Sequence, residues 1–88
     1  MNLEFSKSFE KQLKRIPDDI SKKGVAGAIK EIIDAKTVNQ IPSAKKMKGH
    51  KSAYRIRIGD YRLGFYIDNG VALITTLAHR KDIYKKFP

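Results

Sequence analysis

The segment YRIRIGDYRLGFYI, residues 54–67, alternates apolar and polar side chains on either side of Gly59-Asp60. A period of two predicts a pair of strands, and a two-residue loop opening on glycine predicts a tight hairpin turn. Loop length fixes strand register. Ile58 is then expected opposite Tyr61, Ile56 opposite Leu63 and Tyr54 opposite Phe65, all on one apolar face. The other face receives Arg57 opposite Arg62, with Arg55 opposite Gly64. Like charges directly across a sheet cost a few tenths to about 1 kcal/mol per pair. A placement that stability disfavours calls for an anion, and guanidinium forks match phosphate oxygens bidentately. The competing reading has these arginines fanned into water or docked on acidic residues of a partner. Gly64 suits a bulge, or leaves room for a base or ribose beside Arg55.

The remaining chain supplies the layer this hairpin packs on. NLEF, residues 2–5, reads as a short opening strand. Ser6 can cap a helix whose stripe is Phe9, Leu13 and Ile16, and Pro17 ends it. Asp18 and Asp19 open a second helix with an expected buried face of Ile20, Val25, Ala28, Ile29, Ile32 and Ile33. Gly24 and Gly27 are expected to let it approach the first helix. Residues 37–52, broken by Pro42 and Gly49, read as a loop. The third strand of a meander follows the Asp68-Asn69-Gly70 turn. Treating all three turn residues as loop pairs Ile67 with Val71, Phe65 with Leu73 and Arg62 with Thr76. Looping Asn69-Gly70 alone mixes the two faces, so the longer loop is preferred. Arg80 continues the arginine parity beyond the strand, whereas His79 points to the helix side. The expected fold is α+β in the order β-α-α-β-β-β, an antiparallel meander on an N-terminal helical hairpin, with one layer of core. Residues 1–88 are expected to form a single domain.

Charge narrows the partner. Nineteen basic residues stand against nine acidic ones, a net charge of +10. Residues 41–66 alone carry seven basic and one acidic side chain. Such concentration fits a polyanion, with nucleic acid favoured over a membrane surface because no basic amphipathic helix accompanies it. Lys45, Lys46, Lys48 and Lys51 extend the basic surface, and His50 lies among them. Cysteine is absent, and neither a signal-type apolar stretch nor an 18-residue apolar run occurs, so a cytoplasmic location is expected.

Scattered Asp60, Asp68 and Asp82 form no metal-binding cluster, and no cofactor motif is present. Metal-free cleavage of RNA fits what is there. The substrate's own 2′-hydroxyl attacks the adjacent phosphate, and arginines orient the backbone and neutralise the charge that develops. Arginine cannot shuttle protons, which leaves His79 and Tyr84 as candidates.

YRIRIGDYRLGFYI together with AHRKDIYKKF resembles toxins of the RelE/ParE superfamily from type II toxin–antitoxin systems, in particular the RelE branch. The resemblance spans nearly the whole chain. It implies a ribosome-dependent mRNA endonuclease acting in the ribosomal A site, with Arg55, Arg57, Arg62, Arg80 and Tyr84 as catalytic residues. RNA and ribosome contacts are expected through Lys45, Lys46, Lys48, Lys51 and His79. The resemblance also implies a small acidic, RelB-like antitoxin. Arg55 and Arg57 replace positions that can be lysine in relatives, so proton abstraction is expected to pass to Tyr84 or His79, or to be left to substrate and ribosome. The alternatives are a ParE-like DNA gyrase poison and a non-catalytic RNA- or ribosome-binding module.

Overall fold

Both long helices begin at the caps their sequences offer. In the computed structural model, which describes residues 1–88, the Ser6 hydroxyl accepts from the Phe9 amide at 3.0 Å and the Asp18 carboxylate from Ser21 at 2.8 Å. Each satisfies an amide that has no partner within its helix. The chain runs β1 (Asn2–Phe5), α1 (Lys7–Lys14), α2 (Asp19–Asp34), β2 (Ala44–Lys46), β3 (Ala53–Ile58), β4 (Tyr61–Asp68), β5 (Val71–His79) and α3 (Ile83–Lys86). The sheet order is β1-β5-β4-β3-β2, with β1 parallel to β5 and every other pairing antiparallel. This is the expected α+β meander, extended by one edge strand and one terminal turn of helix.

The first hairpin has the predicted register throughout, including Arg57 opposite Arg62 and Arg55 opposite Gly64. The second does not. Asn69 and Gly70 both have positive φ, at 49° and 75°, which defines a two-residue turn of the type that hairpin twist favours. Asp68 therefore pairs with Val71, Tyr66 with Leu73 and Phe65 with Ile74. Faces stay unmixed because β5 carries a bulge: Gly64 pairs with Thr76, so Thr75 is an extra residue with no partner. Beyond it Leu63 meets Leu77 and Arg62 meets Ala78, not Thr76. The freed Thr75 carbonyl accepts from the Ser6 hydroxyl at 3.1 Å, tying the bulge to the cap of α1.

Two further expectations change. Val25, Ala28 and Ile32 of α2 are buried, but Ile20 is 83% exposed and Ile33 is also exposed. At 3.6 residues per turn Ile20 stands about 140° round from Val25, off the buried stripe. Gly24 serves the sheet rather than α1, since a Cβ there would lie 2.5 Å from Ile58 Cγ2, while one at Gly27 would meet nothing. The core is also not one layer. Phe9, Ile32, Ile56, Leu63, Phe65 and Ile74 anchor the helix side. On the opposite face Met47, Ala53, Ala78, Ile83 and Phe87 form a second, smaller cluster.

Candidate phosphate-binding cleft

β3 and β4 place alternate side chains on the face away from α1 and α2, and the bulge in β5 keeps Arg80 on that side. Arg55, Arg57, Arg62, Arg80, Lys81, Ile83 and Tyr84 line an open cleft of about 490 Å³. All five residues expected to act on substrate are therefore brought together. The lysine of β2 nearest this face, Lys45, pairs with Arg55 and is exposed. Lys46, Lys48 and Lys51 are exposed outside the cleft. His79 pairs with Tyr61 on the helix side, its ring set edge-on at 6.1 Å, and its Nδ1 accepts from the Lys81 amide at 3.2 Å. It does not line the cleft.

The arginines differ in how they are held. Arg62 is only 8% exposed, and its Nη1 donates to the carbonyls of Gly59 and Tyr61, each at 2.8 Å. Burial holds its pKa below the ordinary guanidinium value, and repulsion from Arg57, Arg55 and Arg80 pushes the same way, with Tyr84 opposing. It remains a cation, as arginine does in proteins. Arg55 Nη1 is buried without a hydrogen-bond partner. Arg80 has one acidic neighbour, Asp60, at 3.9 Å between exposed groups. Such a pair contributes little. A cleft with this charge and these repulsions is chemically suited to an anion.

Sequence reading missed the packing that lies behind Tyr84. Gly64 makes room neither for a base nor for a ribose: a Cβ there would stand 2.7–2.9 Å from three carbons of the Phe87 ring. Ile83 and Phe87 are buried on the sheet, and Tyr84 between them points outward, 72% exposed. The i, i+4 spacing of Ile83 and Phe87 was the available signal, and a single turn is too short for it to stand out.

Fold and cleft together define a small α+β domain with a basic cleft on its open sheet face, and comparison with known proteins identifies its family. Residues 3–84 match the family described as the ParE toxin of the type II toxin–antitoxin system parDE. Toxin RelE3 of Methanocaldococcus jannaschii is 36% identical over 89 residues, covering 100% of both chains. The toxin fold in the RelB–RelE antitoxin–toxin complex from Methanococcus jannaschii superposes with a TM-score of 0.75 at 36% identity, covering 96% of this chain and 98% of that one. The YoeB–YefM complex from Staphylococcus aureus, at 20% identity, shares the fold, with a TM-score of 0.72 over 90% and 95% of the two chains. The chain belongs to the RelE/ParE family of type II toxin–antitoxin toxins, and is a RelE-like member of it.

Proposed function

We propose that the protein is a ribosome-dependent mRNA endonuclease. The observation that carries this reading is the convergence of Arg55, Arg57, Arg62 and Arg80 with Tyr84 in one cleft. The scissile phosphate sits among the guanidinium groups, whose N–H forks match its oxygens. The 2′-oxygen of the substrate forms a bond to phosphorus as the bond to the 5′-oxygen breaks, leaving a 2′,3′-cyclic phosphate and a 5′-hydroxyl. Negative charge grows on the phosphoryl oxygens in between, where preorganised cations lower the barrier. We assign the proton exchange with the reacting oxygens to Tyr84; His79 faces the helices, arginine stays charged, and Lys81 is the other titratable side chain in the cleft. Lys45, Lys46, Lys48 and Lys51 extend the cationic surface toward ribosomal and messenger RNA.

The partner expected in the resting cell is a small acidic antitoxin of the RelB type, as in the RelB–RelE complex. Its charge complements the net +10 of this chain. No helix is long and apolar enough to cross a membrane, in keeping with action on cytoplasmic ribosomes.

Adding the purified protein to an in vitro translation reaction should generate new mRNA 5′ ends within ribosome-bound codons and leave ribosome-free RNA intact. The ParE description of the matched family favours a second reading, inhibition of DNA gyrase. Loss of supercoiling at concentrations that leave mRNA whole establishes that reading in place of the first.

A further inference from the structure

Tyr84 occupies a weak element. Its helix, α3, is four residues long, and a single turn has no intrinsic stability in water. The Tyr84 side chain is exposed and makes no hydrogen bond that would hold it over the arginines. What holds α3 is underneath and behind it. Ile83 and Phe87 are each 1% exposed, and the Phe87 amide donates to the Ile83 carbonyl at 2.7 Å, closing the turn. Phe87 lies directly over Gly64, closer than any side chain at that position allows, and packs on Tyr66 with ring centroids 5.1 Å apart. Gly64 does not have a positive φ, so a left-handed turn does not account for it. The absent Cβ is the notch that receives the ring.

We propose that Phe87 is the positioning residue for Tyr84. Its ring, lodged over Gly64, fixes α3 on the sheet so that the phenol stays over the phosphate position between Arg62 and Arg80. This rests on the reading of Tyr84 as the proton-exchanging group. The arginines, carried by β3, β4 and the end of β5, do not depend on the anchor. Binding and chemistry are therefore separable.

The test uses the full chain on translating ribosomes in single-turnover cleavage. Phe87→Ala removes the ring, and Gly64→Ala expels it. Both should lower the rate at saturating ribosomes on the order of tenfold to a hundredfold, the usual consequence of misplacing a catalytic group by about 1 Å. The ribosome concentration giving half-maximal rate should change by less than about twofold. The double variant Gly64→Ala/Phe87→Leu, which restores the summed volume, should recover most of the rate. A wild-type rate in Gly64→Ala, a loss lying wholly in half-saturation, or no recovery in the double variant overturns the proposal.

A second readout needs no cleavage. The chain contains no tryptophan, so Tyr84→Trp introduces a single indole. Its nanosecond anisotropy decay should gain a fast local component when Gly64→Ala or Phe87→Ala is added, and an unchanged decay overturns the anchoring. If the wild type cuts no ribosome-bound mRNA, the nuclease reading falls and the anisotropy still decides the anchor.

Discussion

On one side of the sheet Ile56, Leu63, Phe65 and Ile74 are covered by α1 and α2. On the other, Met47, Ala53, Ala78, Ile83 and Phe87 close only the middle, and the arginines stand at one end in an open cleft. The same strands supply both sides. Where helices cover the sheet, each side chain adds apolar contact and the sum stabilises the fold. Where the sheet is open, Arg57 opposes Arg62 and Arg55 keeps a buried donor unpaired, so local stability is lower than this backbone permits. Conflict between local energetics and fold concentrates at functional positions.

The sharpest way to break this comparison is to exchange roles between the sides. Phe65→Ala, on the helix side, should cost about 3–5 kcal/mol in urea unfolding. Arg80→Ala, an exposed change on the open side, should leave unfolding within about 0.5 kcal/mol of wild type. It should nevertheless lower ribosome-dependent cleavage about a hundredfold or more. Intermediate behaviour is expected of Arg62→Ala. Loss of its bonds to Gly59 and Tyr61 costs about 1–3 kcal/mol, partly offset by relief of repulsion, so activity and unfolding midpoint should fall together. Retained cleavage in both arginine variants removes the basis for the phosphate reading.

A smaller effect sharpens the electrostatic half. Arg57→Gln should raise stability by a few tenths to about 1 kcal/mol, and inorganic pyrophosphate should erase that advantage by stabilising the wild type more. Thermal midpoints with and without the anion measure it. The least effect is expected at Asp18, far from the cleft. The hydrogen bond from the Ser21 amide holds its pKa below the usual 3.8. A carboxylate lowered in this way stabilises the fold above its unfolded pKa and loses that contribution as pH falls through the folded value. The difference in midpoint between wild type and Asp18→Ala should therefore be present at pH 7 and shrink as pH falls below 3.8.

Residues 54–67 were legible in detail because a two-residue turn and strict alternation leave one register, which also put Arg55, Arg57 and Arg62 on a common face. Residues 68–79 were not. Alternation alone assigns Leu73 to the core and Ile74 to the open face, and the structure reverses both. The cause is Thr75, whose displacement is fixed by Ser6 from the far end of the chain, a contact local pattern cannot express. Arg80 still fell on the expected side because the shorter loop and the extra strand residue add to a shift of two, which preserves parity. β2 escaped notice for another reason. Its three residues, Ala44, Lys45 and Lys46, carry little strand preference and are recruited by backbone pairing to β3. Phe87 had only its spacing from Ile83 to mark it, and its seat over Gly64 is a tertiary contact that spacing does not express.

The unpaired residue in β5 has a consequence for comparing and engineering such chains. It divides the strand into two frames: Ala72 and Ile74 address the helices in one, Leu77 in the other. Deleting Thr75 would transpose one frame against the other, turning Arg80 toward the helices or Ile74 toward water. A gap placed there in an alignment is thus a statement about which side of the molecule each downstream side chain serves.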